Sequence, residues 1–233
     1  MEEKPIGEYE KGLMEFFRDY VTENKQSLIE NALNERTRYV TAVVENIYKS
    51  QNASAVLRTC DCFGVHDFHI VEDSPRYKMN PNVSKGAGAW VNIHRYDDEA
   101  GDNTEVCYER LKSEGYKIYA TSPHASGVPI ERVPLDSKVA VVFGNEHSGL
   151  SQKALDMADG YITLPMYGFT ESFNISVTAS ICLHNLVNRL RETDVDWHLS
   201  QKEKDAIRYR WYRRVVRKAE ALERRYREEK GLL

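Results

Sequence analysis

The chain has 233 residues, of which 41% are hydrophobic and 29% charged, and its formal net charge is −4. This is the composition of an ordinary folded globular chain, and it excludes collagen-like and intrinsically disordered ones. The longest strongly apolar run near the middle, Val139 to Phe143, is far too short to span a membrane.

The start, MEEKPIGEYE, lacks a cationic segment followed by an apolar core, so no secretory signal is expected. Glu8 to Leu33 has helical periodicity. Leu13, Phe16, Phe17, Tyr20 and Val21 make one apolar stripe, and Leu28, Ile29, Ala32 and Leu33 make another. Tyr39 to Ile47 is rich in β-branched residues and predicts a buried strand. Asn52 stands where a helix N-cap belongs, and Gly64 supplies the stop. Phe68 to Val71 predicts the next strand, followed by a Pro-, Asn- and Gly-dense loop from Ser74 and an alternating strand from Trp90 to Tyr96. A short helix over Glu105 to Glu114, a strand over Lys117 to Thr121 and a loop over Ser122 to Pro134 come next. Lys138 to Phe143 is a strand, Gly144 to Gly149 a turn, and Ser151 to Ala158 a helix. Tyr161 to Leu164 predicts a strand that runs through a polar loop into a helix from Ile175, and a long basic helix covers Ser200 to Glu229. Strands alternating with helices predict an α/β fold, a mostly parallel sheet with helices on both faces.

Charge is unevenly spread. Residues 201–230 hold twelve Lys/Arg against six Asp/Glu, a net of +6, which leaves −10 for the first 200 residues. The tail is therefore either a solvated charged helix or a contact for a polyanion. The four cysteines, Cys60, Cys62, Cys107 and Cys182, form no CxxC pair and no zinc-like His–Cys cluster. Reduced cysteines, a cytoplasmic location and no metal are expected.

Three constellations carry polar chemistry. In the first, Asn52 and Arg58 are six residues apart, so on one continuous helix they would not share a face. With Asn52 as an N-cap in the preceding loop, both would converge on the C-terminal edge of the sheet. The alternative is a cap plus a surface arginine. The second, FGNEHSGL, is a Gly-rich turn that lacks the Lys-Ser/Thr of a phosphate-binding Walker loop. Its Glu146 either orients an arginine or caps the next helix. The third, LPMYGFTESFNISV, places Ser172 and Asn174 on one side of an extended segment, where turn and N-cap chemistry is the alternative.

In this order and spacing, ENIYKSQNASAVLRTCDCFGV, FGNEHSG and LPMYGFTESFNISV resemble the signature motifs of the SpoU/TrmH family of RNA ribose 2′-O-methyltransferases, in the SPOUT superfamily. The resemblance covers about residues 36–190 and is strongest to the branch that methylates guanosine 18 in the tRNA D-loop. It implies a C-terminal trefoil knot, a homodimer, tRNA as substrate and S-adenosyl-L-methionine as cofactor. It also implies catalytic roles for Asn52, Arg58, Glu146, Ser172 and Asn174, and cofactor contacts at Thr121, Gly144, Leu164 and Phe173. The expected division is a helical extension over 1–35, the methyltransferase domain over 36–192 and a basic helical extension over 193–233. Phe173 replaces a common Leu, and the C-terminal extension is longer than in many members. Other tRNA positions, ribosomal RNA and a non-catalytic RNA-binding role stand as alternatives.

Overall fold

The computed structural model describes residues 5–73, 84, 86–99, 101–122 and 127–232. Most of the loop expected from Ser74, at 74–83 and 85, and residues 123–126 of the later loop lie outside the described residues. Two compact units divide the chain: Thr37–Trp197, and Met1–Arg36 with His198–Leu233. The helices are α1 (Glu8–Arg18), α2 (Glu23–Asn34), α3 (Ser50–Cys62), α4 (Asn103–Ser113), α5 (Gln152–Met157), α6 (Ile175–Arg191), α7 (Gln201–Val215) and α8 (Ala219–Glu229).

The larger unit is built on β1 (Val40–Glu45), β2 (Asp67–Val71), β3 (Asn92–Tyr96), β4 (Tyr116–Thr121), β5 (Val128–Pro129), β6 (Lys138–Phe143) and β7 (Gly160–Thr163). They lie in the order β3-β2-β1-β6-β4-β7-β5, and each neighbouring pair is parallel. Side chains alternate across the sheet with period two. Val40, Ala42 and Val44 pack on one side with Val56 and Leu57 of α3 and Leu183 and Leu186 of α6. Val43 packs on the other with Leu111 of α4 and Ala154 of α5. Burial on both faces is why β1 and β6 read as β-branched runs rather than polar–apolar alternation.

From β1 the chain works outward to β2 and β3, while β6 and β4 lie on the other side of β1. The carboxyl ends of β1 and β6 are therefore a topological switch point, where an open α/β sheet leaves a crevice.

Three local expectations change. The third helix begins at Ser50 with Lys49 as its cap, so Asn52 lies inside the first turn. The Asn52 N–H already donates to the Lys49 carbonyl at 2.9 Å, which commits the chain to helix before Asn52 is reached. The expected loop from Ser122 to Pro134 contains the short edge strand β5 and a 3-10 turn, Ile130–Arg132. The single long C-terminal helix is two helices, α7 and α8, broken where Lys218 takes a left-handed conformation (φ 56°).

In the helical unit, Leu13 and Phe17 of α1, Ile29 and Leu33 of α2, and Ile207, Trp211 and Tyr212 of α7 are buried. The break between α7 and α8 lets Tyr226 turn back onto Phe16 and Tyr9 of α1, with ring centroids 5.4 and 5.9 Å away. Trp211, Tyr212 and Tyr226 are thus core residues, and although aromatics interleaved with arginines on a basic helix suggest platforms for RNA bases, these three rings are not available to stack on them. Several arginines are engaged too. Arg208 makes a bidentate pair with Glu30 (2.6 and 2.8 Å), and Arg213 contacts Glu223 at 2.6 Å. Exposed Lys202, Arg214, Arg217, Lys218, Arg224 and Lys230 make no ion pair among the described residues.

Sequence periodicity gives no warning of a buried polar network between β2 and β3. Parallel register sets His69 opposite His94, and their rings stack with centroids 4.6 Å apart. His69 Nδ1 lies 3.1 Å from the Tyr96 hydroxyl, and His94 Nε2 lies 2.7 Å from Asp67 Oδ1. Burial holds the His69 pKa down at about 3, with His94 adding to the effect. Burial pushes the Asp67 carboxyl up, but the His94 hydrogen bond and the nearby His66 and Arg38 charges outweigh it and hold the group well below the usual range. Both shifts act in one direction: in acid the unfolded chain binds protons that the folded chain refuses. The melting temperature is expected to fall as pH drops from about 6.5 towards 3, and His69→Leu to flatten that slope in thermal melts at pH 7 and pH 4.

Candidate active site

Two loops meet at the switch point, one after β1 and one after β6. Asn46 leaves β1 in a left-handed conformation (φ 50°), which asparagine tolerates better than most residues. It is held from several sides. Its N–H donates to the Val71 carbonyl at 2.9 Å. Its side chain exchanges hydrogen bonds with Asp73, accepting from the main-chain N–H at 2.8 Å and donating to Oδ2 at 3.0 Å. Its carbonyl accepts from Asn145 Nδ2 at 2.5 Å.

The β6 loop closes on itself. Asn145 and Gly149 exchange main-chain hydrogen bonds of 2.9 Å in each direction. Gly149 is left-handed (φ 71°), and a Cβ on Gly144 would lie 2.4 Å from the Gly149 carbonyl carbon, so both positions require glycine. This closure presents Glu146 to the neighbouring loop. Its Oε2 accepts from the Tyr48 N–H at 3.1 Å, and its Oε1 accepts from Asn52 Nδ2. Helix capping is not what Glu146 does. The cap of α5 is Ser151, whose hydroxyl accepts from the Ala154 N–H and donates to buried Glu45 at 2.7 Å.

The third loop joins through Asn174. It is the N-cap of α6, accepting from the Ser176 N–H at 2.9 Å, and its Nδ2 approaches Asn52 Oδ1 at 3.4 Å. Cap and site chemistry therefore coexist in one side chain. Asn52, Glu146 and Asn174 form one connected set drawn from three distant segments.

Arg58 and Ser172 stay outside it. Arg58 is exposed on α3, about 120° around the helix from Asn52, and makes no hydrogen bond or ion pair among the described residues. Ser172 is exposed and likewise makes no hydrogen bond among the described residues. Thr121 ends β4 and donates its hydroxyl to the Val142 carbonyl at 2.9 Å, two residues before Gly144. Leu164 packs against the main core, while Phe173 is 43% exposed. Between them, residues 164–173 make no main-chain hydrogen bond among the described residues. Their main-chain N–H and C=O groups are therefore left for solvent or a ligand.

Sequence reasoning assigned no role to Asn46, Tyr48, Asn145 and His147. The signal was an asparagine one residue after β1 and two residues after β6, where a left-handed exit or a side-chain tie is most useful.

The sequence profile of the SpoU rRNA Methylase family matches residues 39–184. The tRNA (guanosine(18)-2′-O)-methyltransferase of Borreliella burgdorferi is 40% identical over 204 residues, covering 88% of this chain and 91% of that relative. The crystal structure of the A. aeolicus TrmH/SpoU tRNA modifying enzyme superposes with a TM-score of 0.74 at 27% identity, over 84% of this chain and 98% of that one. The SpoU methyltransferase AviRb of Streptomyces viridochromogenes, solved with its cofactor AdoMet, shares the fold, with a TM-score of 0.56 at 17% identity over 69% of this chain and 61% of that chain. The tie at the crevice is directly measurable. Glu146→Ala is expected to speed hydrogen exchange of the Tyr48 amide by about tenfold, the scale of one lost hydrogen bond.

Proposed function

The chain belongs to the SpoU methylase family, and from that premise we propose that it methylates the ribose 2′-hydroxyl of guanosine 18 in the tRNA D-loop. The observation that carries the reading is the Asn52–Glu146–Asn174 set, because it joins all three polar motifs at the sheet's switch point. Ribosomal RNA remains the second reading within the same chemistry.

S-adenosyl-L-methionine, when bound, supplies an electrophilic methyl group. The unengaged backbone of 164–173, with Thr121, Gly144, Leu164 and Phe173 around it, would hold that cofactor. In this reading the segment passes beneath the β6 loop and completes a trefoil knot. Support comes from α6, which leaves the sheet beyond β4 at β7 yet returns to pack on α3, β1 and β6.

Asn52 is kept oriented by Glu146, whose second oxygen is occupied by the Tyr48 N–H. Asn174 and Ser172 shape the ribose pocket. Arginine keeps its proton at neutral pH, so Arg58 serves by gripping the hydroxyl and its flanking phosphate, with the phosphate accepting the proton. Arg58 faces away from Asn52, so a second copy of the chain would bring it to the site. A homodimer is supported by the partly apolar exposed stripe of α6, where Val177 and Ile181 are 44% and 36% exposed.

Incubation with bulk tRNA and methyl donor, followed by nucleoside mapping, is expected to find 2′-O-methylguanosine at position 18; methylation elsewhere would redirect the substrate. Arg58→Ala should abolish transfer while donor binding persists by calorimetry. Mixing Arg58→Ala with Asn52→Ala subunits should then restore about a quarter of wild-type activity, since half the dimers carry one complete site. Neutralising Arg214, Arg217 and Lys218 together should weaken tRNA binding and flatten its salt dependence by about 0.7–0.9 in log–log slope per lost phosphate contact.

A further inference from the structure

Beside the polar set stands a pair of aromatic rings that its chemistry does not use. Tyr48 follows Ile47, which is buried in the main core, yet Tyr48 itself is 70% exposed. The left-handed turn at Asn46 and the anchored Ile47 leave it standing at the mouth of the crevice. His147, on the β6 loop, is exposed as well. The two rings meet edge to face, with centroids 5.4 Å apart and planes at 76°. Two rings at nearly right angles form a corner. A flat heterocycle can stack on one face of it while its rim meets the other ring.

The corner is held firmly. The Tyr48 N–H donates to Glu146, the residue before His147, and the His147 N–H donates to Asn145 Oδ1 at 2.8 Å. Asn145 in turn holds the Asn46 carbonyl. Tyr48 therefore projects from backbone held by Glu146, the residue that also orients Asn52, and His147 from the loop that carries Glu146. A ligand gripped at the corner would be placed in a set relation to the polar groups beneath it.

We propose that Tyr48 and His147 form a stacking platform for the nucleobase of the target nucleotide. Single-stranded and loop RNA is recognised in this way, by unstacked bases laid on aromatic side chains. The proposal rests on the methyltransferase reading and specifies how its RNA substrate is held. Tyr48 would act through affinity, and its ring rather than its hydroxyl would matter.

The loss of one base–aromatic stack by alanine substitution corresponds to about 5- to 150-fold in affinity. Tyr48→Ala is therefore expected to raise the KM for tRNA by about tenfold or more, with kcat within about twofold and donor affinity unchanged. Tyr48→Phe and Tyr48→Trp should keep a wild-type KM. A fall in kcat at constant KM would overturn the proposal, since it would mean that Tyr48 only supports Glu146. So would a Phe variant as poor as the Ala variant. A second arm needs no turnover: a tRNA transcript carrying 2-aminopurine at position 18 should be quenched on binding the wild type and remain bright with Tyr48→Ala. Equal quenching by the two proteins would also overturn it. Absence of methyl transfer by the wild type would strike the methyltransferase reading instead, and the fluorescence arm would still decide the platform.

Discussion

The crevice depends on a short chain of amides and one carboxylate that ties the exits of β1 and β6 together. Parallel pairing brings two strand ends 98 residues apart in sequence, Glu45 and Phe143, to one edge of the sheet, but it leaves the loops beyond them free to diverge. Asn145 on the Asn46 carbonyl and Glu146 on the Tyr48 amide prevent that. Because one carboxylate serves both the Tyr48 amide and the Asn52 side chain, the position of the polar group and the path of the loop are set together. Asn46 tolerates its left-handed backbone because both ends of its side chain are occupied by Asp73.

The helical unit uses its composition differently from what its charge suggests. Arginines interleaved with aromatics look like a surface for a polyanion, yet the large rings fill the space between helices and much of the charge is neutralised locally. Trp211 lies under the Arg36 guanidinium, 5.4 Å from the ring centroid, while Tyr9, Glu223 and Arg227 form one linked group. Exposed Lys202, Arg214, Arg217, Lys218, Arg224 and Lys230 are left for an external anion, and three of them, Arg214, Arg217 and Lys218, lie beside the break between α7 and α8.

The sheet edge at β2 and β3 adds a polar layer where an apolar one would serve packing as well. Asp67 gathers Arg38 at 2.8 Å, Asn92 at 2.9 Å and His94 at 2.7 Å, so its charge is matched inside the fold. Such a network is stabilising only while every member is satisfied.

From the sequence alone came the alternation of strands and helices, the buried β-branched character of β1 and β6, and the three polar motifs whose order resembles the SpoU family. These are local or periodic signals, set by propensity and by which faces must be dry. The sequence could not fix the helix start at Ser50, because main-chain hydrogen bonding to Lys49 competes with the cap preference of Asn52. Nor could it fix the break at Lys218, which carries no Gly or Pro and lets Tyr226 pack on α1. Only the tertiary structure decided which polar residues meet. Asn52, Glu146 and Asn174 touch because strand order brings their loops to one edge, whereas Arg58 is turned away by the 100° that each residue advances around its helix. Spacing along a chain says which side chains share an element, and the strand order says which elements share a crevice.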